Sequence, residues 1–253
     1  MKATAWEFRY RLWLSFAIVT LGFAAPWIGL LHWGSRESGT WGWLASELST
    51  AGVPSSTGFL IVNALAILAA ALGFGLRLWG TAYLGTGTVF NAEMKPGAEQ
   101  QSGRVLVDGP YRYMRNPLYW GSFLTIVAVA ILMPPSGAAV SLPLLGIFLL
   151  RLILGEEAFL SPRLGEPYAA YCQAVPRIVP SLWPRVAASG QTPQFGRALL
   201  GEIFPLGVAV SFAALCWQYD PDLLFRAMLI SFGASLVVRA LILPKPGSAQ
   251  PAV

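Results

Sequence analysis

Six apolar runs dominate this sequence, at residues 12–32, 57–79, 117–133, 138–155, 199–217 and 223–243. A helix rises 1.5 Å per residue, so about twenty residues cross the roughly 30 Å hydrocarbon core of a bilayer. In lipid a spanning segment of that length must satisfy its own backbone hydrogen bonds, which a helix does. The runs therefore predict an all-α, polytopic integral membrane protein with about six transmembrane helices. Composition agrees. Of 253 residues 55% are hydrophobic and 11% charged, against about 25% charged in a soluble domain. Mean hydropathy is positive.

Two of the runs are separated by Met133-Pro134-Pro135-Ser136-Gly137, a strong turn signal. They predict a tight helical hairpin over 117–155. The first run follows Lys2, Arg9 and Arg11, as a signal peptide would. Its twenty or so apolar residues exceed the usual 7–15 of such a segment, so it is read as a retained helix.

Basic residues set the orientation, because Lys and Arg collect on the cytoplasmic side. With the N-terminus inside, fifteen of the seventeen fall on inner segments, and only Arg36 and Arg226 fall outside. The expectation is N-in and C-in, with the working surface facing the cytoplasm. Trp27, Trp33, Trp41 and Trp43, near or in the first outer loop, suit an interfacial belt. Four regions follow: N-terminal helices at 1–79, a working region at 80–198, a helix pair at 199–243 and a disordered tail at 244–253. Within the second, the inner segments 80–116 and 156–198 are too long to be mere connectors.

Several classes are disfavoured. The basic residues form no single stripe, which argues against nucleic acid. Cys172 and Cys216 sit in segments assigned to opposite surfaces, so no disulfide is expected; His32 has no histidine partner and no CxxC occurs, so no metal is expected. Gly85-Thr86-Gly87 lacks the third glycine of a dinucleotide loop, since Phe90 stands there.

Two blocks carry chemistry: Asp108 to Gly121 (DGPYRYMRNPLYWG) and Gly155 to Arg177, which includes EEAFL and LGEPYAAYCQAVPR. In the first, Gly109-Pro110 turns the chain, Pro117 suits a first helical turn, and Asn116 can cap it. A helix start beside Arg115 suits a ligand carboxylate; the bland alternative is a basic inner flank, which is preferred for Arg112. In the second, Glu156 and Glu157 point about 100° apart on a helix. One can serve a ligand while the other pairs with an arginine such as Arg151 or Arg177. Tyr168 and Tyr171 share a face of a short amphipathic helix, either walling an adenine pocket or resting on the membrane interface. Arg177 follows Pro176 near the surface and can close over a cofactor.

These blocks, with Arg77-Leu78-Trp79 and Tyr83-Leu84-Gly85 ahead of them, resemble the signature of the isoprenylcysteine carboxyl methyltransferase and phospholipid methyltransferase family. The resemblance covers about residues 75–182. It implies an S-adenosyl-L-methionine-dependent methyltransferase in the membrane, with Arg115, Glu156 and Glu157 as catalytic candidates. It assigns cofactor binding to Tyr111, Arg115, Asn116, Pro117, Tyr119, Glu157, Leu160, Tyr168, Tyr171 and Arg177. Position 116 is Asn where the usual pattern has His, and Asn carries neither proton nor charge.

A sulfonium supplies its own reactivity, so the protein has chiefly to align methyl and acceptor. A prenylcysteine carboxylate needs only orienting; a phospholipid amine needs a base such as Glu156 or Glu157. The scarcity of lysine, with many Ala and Gly, points to a GC-rich bacterium and its inner membrane, where prenylated cysteine proteins are not an obvious substrate, and this tilts the acceptor towards a lipid or small apolar molecule. The alternatives are an NADPH-dependent membrane reductase of the sterol type and a non-enzymatic scaffold or transporter.

Overall fold

The structure is a computed structural model that describes residues 2–24, 39–89, 103–218 and 220–242. Among them every regular element is helical: α1 (Ala5–Arg9), α2 (Arg11–Ala24), α3 (Gly39–Thr50), α4 (Ser55–Leu84), α5 (Thr86–Val89), α6 (Pro117–Ala130), α7 (Pro135–Ala174), α8 (Phe195–Gly201), α9 (Ile203–Leu215) and α10 (Pro221–Ile242). Short 3-10 turns stand at Gly109–Arg112 and Cys216–Gln218. Three helices, Ser55–Leu84, Pro135–Ala174 and Pro221–Leu241, are long and apolar enough to cross a membrane singly. A bent pair makes up to four spans, and α2 and α6 are shorter apolar helices. The all-α membrane class is thus observed. Trp27, His32, Trp33, Arg36, Phe90, Lys95 and the tail from Pro244 lie outside the described residues.

Helix α4 is the centre of the bundle and packs on α3, α6, α8 and α9. Its tightest contact is with α6 at Gly73 and Gly121. A Cβ on Gly73 would lie 2.8 Å from the Thr125 backbone nitrogen and 2.9 Å from the Gly121 carbonyl; one on Gly121 would lie 2.7 Å from the Gly73 carbonyl. Lipid provides no hydrophobic drive for helix association, so such close backbone approach supplies van der Waals contact instead. Around it Val62, Ala66, Ala70, Ala128, Val208 and Phe212 form the main core. Leu65, Leu68 and Leu72 of α4, and Ile230, Val237 and Leu241 of α10, stay exposed, as lipid-facing positions should.

Three expectations need correction. The second arm of the hairpin does not stop at 155. Helix α7 has 40 residues and is interrupted at Gly165, whose φ of 59° and ψ of −143° are not helical. At 1.5 Å per residue it is about twice the length of a bilayer core, so its far end must leave the hydrocarbon. The run at 199–217 is not one helix. It breaks at Glu202, and the two halves meet at 77°. Trp41 is not a belt residue. It sits in α3 with 5% of its surface exposed, within the main core, because its segment folds as a helix against α4.

The N-terminus is tied to α7. Thr4 and Glu7 form a reciprocal cap on α1, Ala3 N donates to the Arg151 carbonyl at 2.9 Å, and Arg151 Nη2 donates to Glu7 Oε1 at 2.8 Å. Arg151 is therefore engaged by Glu7, not by either member of the Glu156–Glu157 pair. The hydrogen bond from Arg151, followed by that from the Thr4 backbone, pulls the Glu7 carboxyl down from its usual 4.5 to about 2. A lowered folded-state value makes this tether stabilising above the unfolded pKa and lost as pH falls through the folded one. The difference in thermal midpoint between the wild type and Glu7→Gln is expected to be full above pH 4.5 and to vanish as pH falls through about 2.

Candidate functional site

The sequence blocks converge where α6 begins and α7 leaves the bundle. Pro117 occupies the first turn of α6, where its missing N–H costs nothing. It packs at the end of α4, since a Cβ on Gly80 would lie 2.9 Å from Leu118 and 3.5 Å from Pro117. The preceding loop turns at Gly109, whose φ is +59° and whose Cβ position is filled by the Tyr83 ring. Only glycine meets both demands.

Glu157 is the hub. Arg115 Nη1 lies 3.2 Å from its Oε1 and Arg177 Nη2 2.9 Å from its Oε2. Arg177 Nε donates to Oε2 at 3.0 Å, and this carboxylate holds the guanidinium above its ordinary range. Asn116 does not cap α6, as the sequence suggested, because its amide is used elsewhere. Its Nδ2 donates to Glu157 Oε1 at 3.2 Å and to the Arg177 carbonyl at 3.1 Å. Arg115 N donates to the Pro176 carbonyl at 2.9 Å. An uncharged amide thus joins both blocks, and no ionisable group is needed at 116 for that purpose. Both Glu157 oxygens are committed to the two arginines and Asn116.

Glu156 faces a different neighbour, as their angular separation requires. Tyr119 donates to its Oε2 at 2.8 Å. Arg11 comes from α2 into electrostatic reach of both. Its Nη1 and Nη2 donate to the Phe8 and Val89 carbonyls at 2.9 and 3.0 Å.

Tyr168 and Tyr171 do not rest on a membrane surface. They are 5% and 6% exposed and pack with Leu160, Leu164 and Val175. Tyr171 donates to the Tyr111 carbonyl at 2.9 Å, so the short helix after Gly165 is fastened to the loop before α6. Burial pushes the Tyr111 hydroxyl far above its ordinary pKa, so it stays protonated. Leu160, Tyr168 and Tyr171 act here as packing residues.

Two features escaped the sequence reading. Asp108 latches the stretch after α7: Ser189 N and Gly190 N donate to Oδ1 at 2.9 and 3.2 Å, and the Ser189 hydroxyl donates to Oδ2. Burial pushes that carboxyl up, but these bonds and one from Gln191 outweigh it and hold it below its usual range. The second is a buried ion pair. Arg77 Nε and Nη2 donate to Glu202 Oε2 and Oε1 at 2.6 and 3.0 Å, and Thr81 donates to Oε1 at 2.6 Å. Arg77 Nη1 donates to Ser122 at 2.6 Å. The signal was an ionisable residue inside an apolar run, which lipid tolerates only when it is paired.

One buried polar atom bears on ligands. Arg115 Nε is buried and has no hydrogen-bond partner among the described residues. It stands at the start of α6, where no side chain caps the helix. An unmet guanidinium donor beside uncapped backbone N–H groups fits the carboxylate of an amino-acid-like ligand. Among the described residues no cluster of His, Cys, Asp or Glu fits a metal.

The helices and this charged cluster define an integral membrane protein with a polar site at one end of its bundle. Residues 61–166 match the family model for phospholipid methyltransferase, which bears out the resemblance and implies membrane methyltransferase activity. The matched segment is less than half of the chain. It contains Arg77, Tyr111, Arg115, Glu156 and Glu157, and ends before Tyr168, Tyr171 and Arg177. No curated protein and no solved structure matches the chain.

Proposed function

We propose that the chain transfers a methyl group from S-adenosyl-L-methionine to the amine of a phospholipid, at the cytoplasmic face of a bacterial inner membrane. The observation that carries this reading is the buried, unmet Nε of Arg115 beside Glu157 and the start of α6, inside the stretch that matches the family. Arg115 and the α6 N-terminus would hold the cofactor's carboxylate. Glu157 and Asn116 orient Arg115 and Arg177 for that task and are not themselves free to take a ligand.

The bound cofactor would supply an electrophilic methyl on a sulfonium. Glu156 is the carboxylate left for proton transfer, since Tyr119 is its hydrogen-bond donor among the described residues. An ammonium acceptor must lose a proton before it attacks, and Glu156 can accept it. Tyr119 keeps the carboxylate turned towards α6. The cytoplasmic assignment follows from the distribution of Lys and Arg, and the lipid acceptor from the family match.

The test is transfer of labelled methyl from S-adenosylmethionine to a lipid extract by the purified full chain. Label in a product stable to mild alkali supports N-methylation. Label released as methanol identifies a carboxyl ester instead, and overturns the amine. No cofactor binding, together with tight NADPH binding, overturns methyl transfer altogether.

A further inference from the structure

Helix α7 ends at Ala174, and beyond Arg177 the chain crosses the end of the bundle as a strap. It is fastened on both sides of its tip. Ser181 N donates to the Tyr113 carbonyl and Arg185 N to the Arg112 carbonyl, both at 2.9 Å. Arg112 Nε donates to Val186 O at 3.0 Å. Further on, Gln191 Nε2 and Gln194 N donate to the Tyr83 and Ala82 carbonyls, in the last turn of α4.

The apolar side chains along this strap are unusually bare. Leu182 is 88% exposed, Trp183 76% and Val179 74%. Exposed apolar residues on the spanning helices are explained by lipid, but these three lie on no helix. Pro180 and Pro184 flank the tip, and Arg177 and Arg185 stand at its two ends. No acidic residue occurs from Arg177 to Gly190, and the nearby Asp108 carboxylate is already occupied by Ser189 and Gly190. A rigid apolar tip with tryptophan, rimmed by arginine, at the end of a membrane-crossing bundle has the chemistry of the headgroup region.

We propose that the Val179, Leu182 and Trp183 tip is an interfacial anchor, which inserts into the leaflet at the site's own end and gathers anionic phospholipid headgroups around Arg185. This does not rest on the methyl-transfer reading. It would hold the mouth of the site at the depth where a lipid headgroup lies.

The test uses the full chain in lipid nanodiscs, with Cys172→Ser, and a fluorophore at Leu182→Cys or, as control, at Ala188→Cys. Both positions are exposed, so labelling leaves the packing intact. Nitroxide carried on lipid headgroups is expected to quench the label at 182 several-fold more than that at 188. Adding phosphatidylglycerol to phosphatidylcholine discs should increase quenching at 182, and Arg185→Gln should remove that increase. Equal quenching at the two positions overturns the anchor. Quenching at 182 that ignores phosphatidylglycerol overturns the anionic preference. Shielding at 182 from lipid and aqueous quenchers alike, with cross-links between copies, assigns the tip to self-association and overturns the proposal too.

Discussion

Glu202→Ala is expected to destabilise the protein by about 3–5 kcal/mol, the range for stripping one partner from a buried ion pair. The mutation would leave the Arg77 guanidinium, 14% exposed, without the carboxylate that now takes two of its N–H groups. Thr81 would lose its acceptor as well. The penalty comes from an uncompensated charge, so removing both charges should be far milder. The double variant Arg77→Met with Glu202→Met is expected to recover most of the loss. Thermal unfolding of the wild type, Glu202→Ala and the double variant in one detergent makes the comparison. If the single and double variants unfold alike, the pair does not act as a unit. A second readout is specific to its position. Glu202 stands at the 77° break between α8 and α9, and Arg77 belongs to α4, so the pair joins the C-terminal helices to the segment that matches the family. Hydrogen exchange in α8 and α9 should rise in Glu202→Ala more than in α7.

Arg115→Ala is expected to weaken S-adenosylmethionine binding by about 30-fold to several thousandfold. That corresponds to about 2–5 kcal/mol for truncating a hydrogen-bonded partner in a desolvated charge pair. Arg115 carries the unmet Nε–H and is one of the two arginines held by Glu157. Arg115→Lys should restore little, since an ammonium cannot present the fork that reaches Glu157 and a ligand carboxylate together. Arg163→Ala is the control. That side chain is exposed and lies over the ring of Phe159 on its own helix, so its loss should leave binding as in the wild type. Equilibrium binding of labelled cofactor to purified protein decides the matter. Unchanged affinity in Arg115→Ala, with the protein folded, would remove Arg115 from the proposed site. Because Arg77 and Glu202 lie in a separate cluster, the effects of the two variants should be close to additive.

Much of this was legible in one dimension. Apolar length predicted the helices, and Pro117 the start of α6. The distance between the blocks, closed by a hairpin whose turn is Pro134-Pro135, brings Arg115 near Glu157. What could not be read was the partner of each charged group. Arg151 was a candidate partner for the glutamate pair and instead meets Glu7. Asn116 was a plausible cap and instead bridges Glu157 and the Arg177 carbonyl. Glu202 was not singled out and is completely buried against Arg77 and Thr81. Trp41 read as interfacial and is core. In each case residues far apart in the chain compete for one side chain, and local pattern carries no information about which competitor wins.

The division has a physical basis. Hydropathy and proline placement act over a few residues or one helix length, so the sequence alone determined the membrane class, the helical segments and the two chemical blocks. Charge pairing and close packing depend on which helices touch, and these were decided only by the tertiary structure. It broke α8 from α9 at Glu202, carried α7 past Gly165 and committed Glu157 to two arginines. It also left Arg115 Nε buried without an acceptor among the described residues.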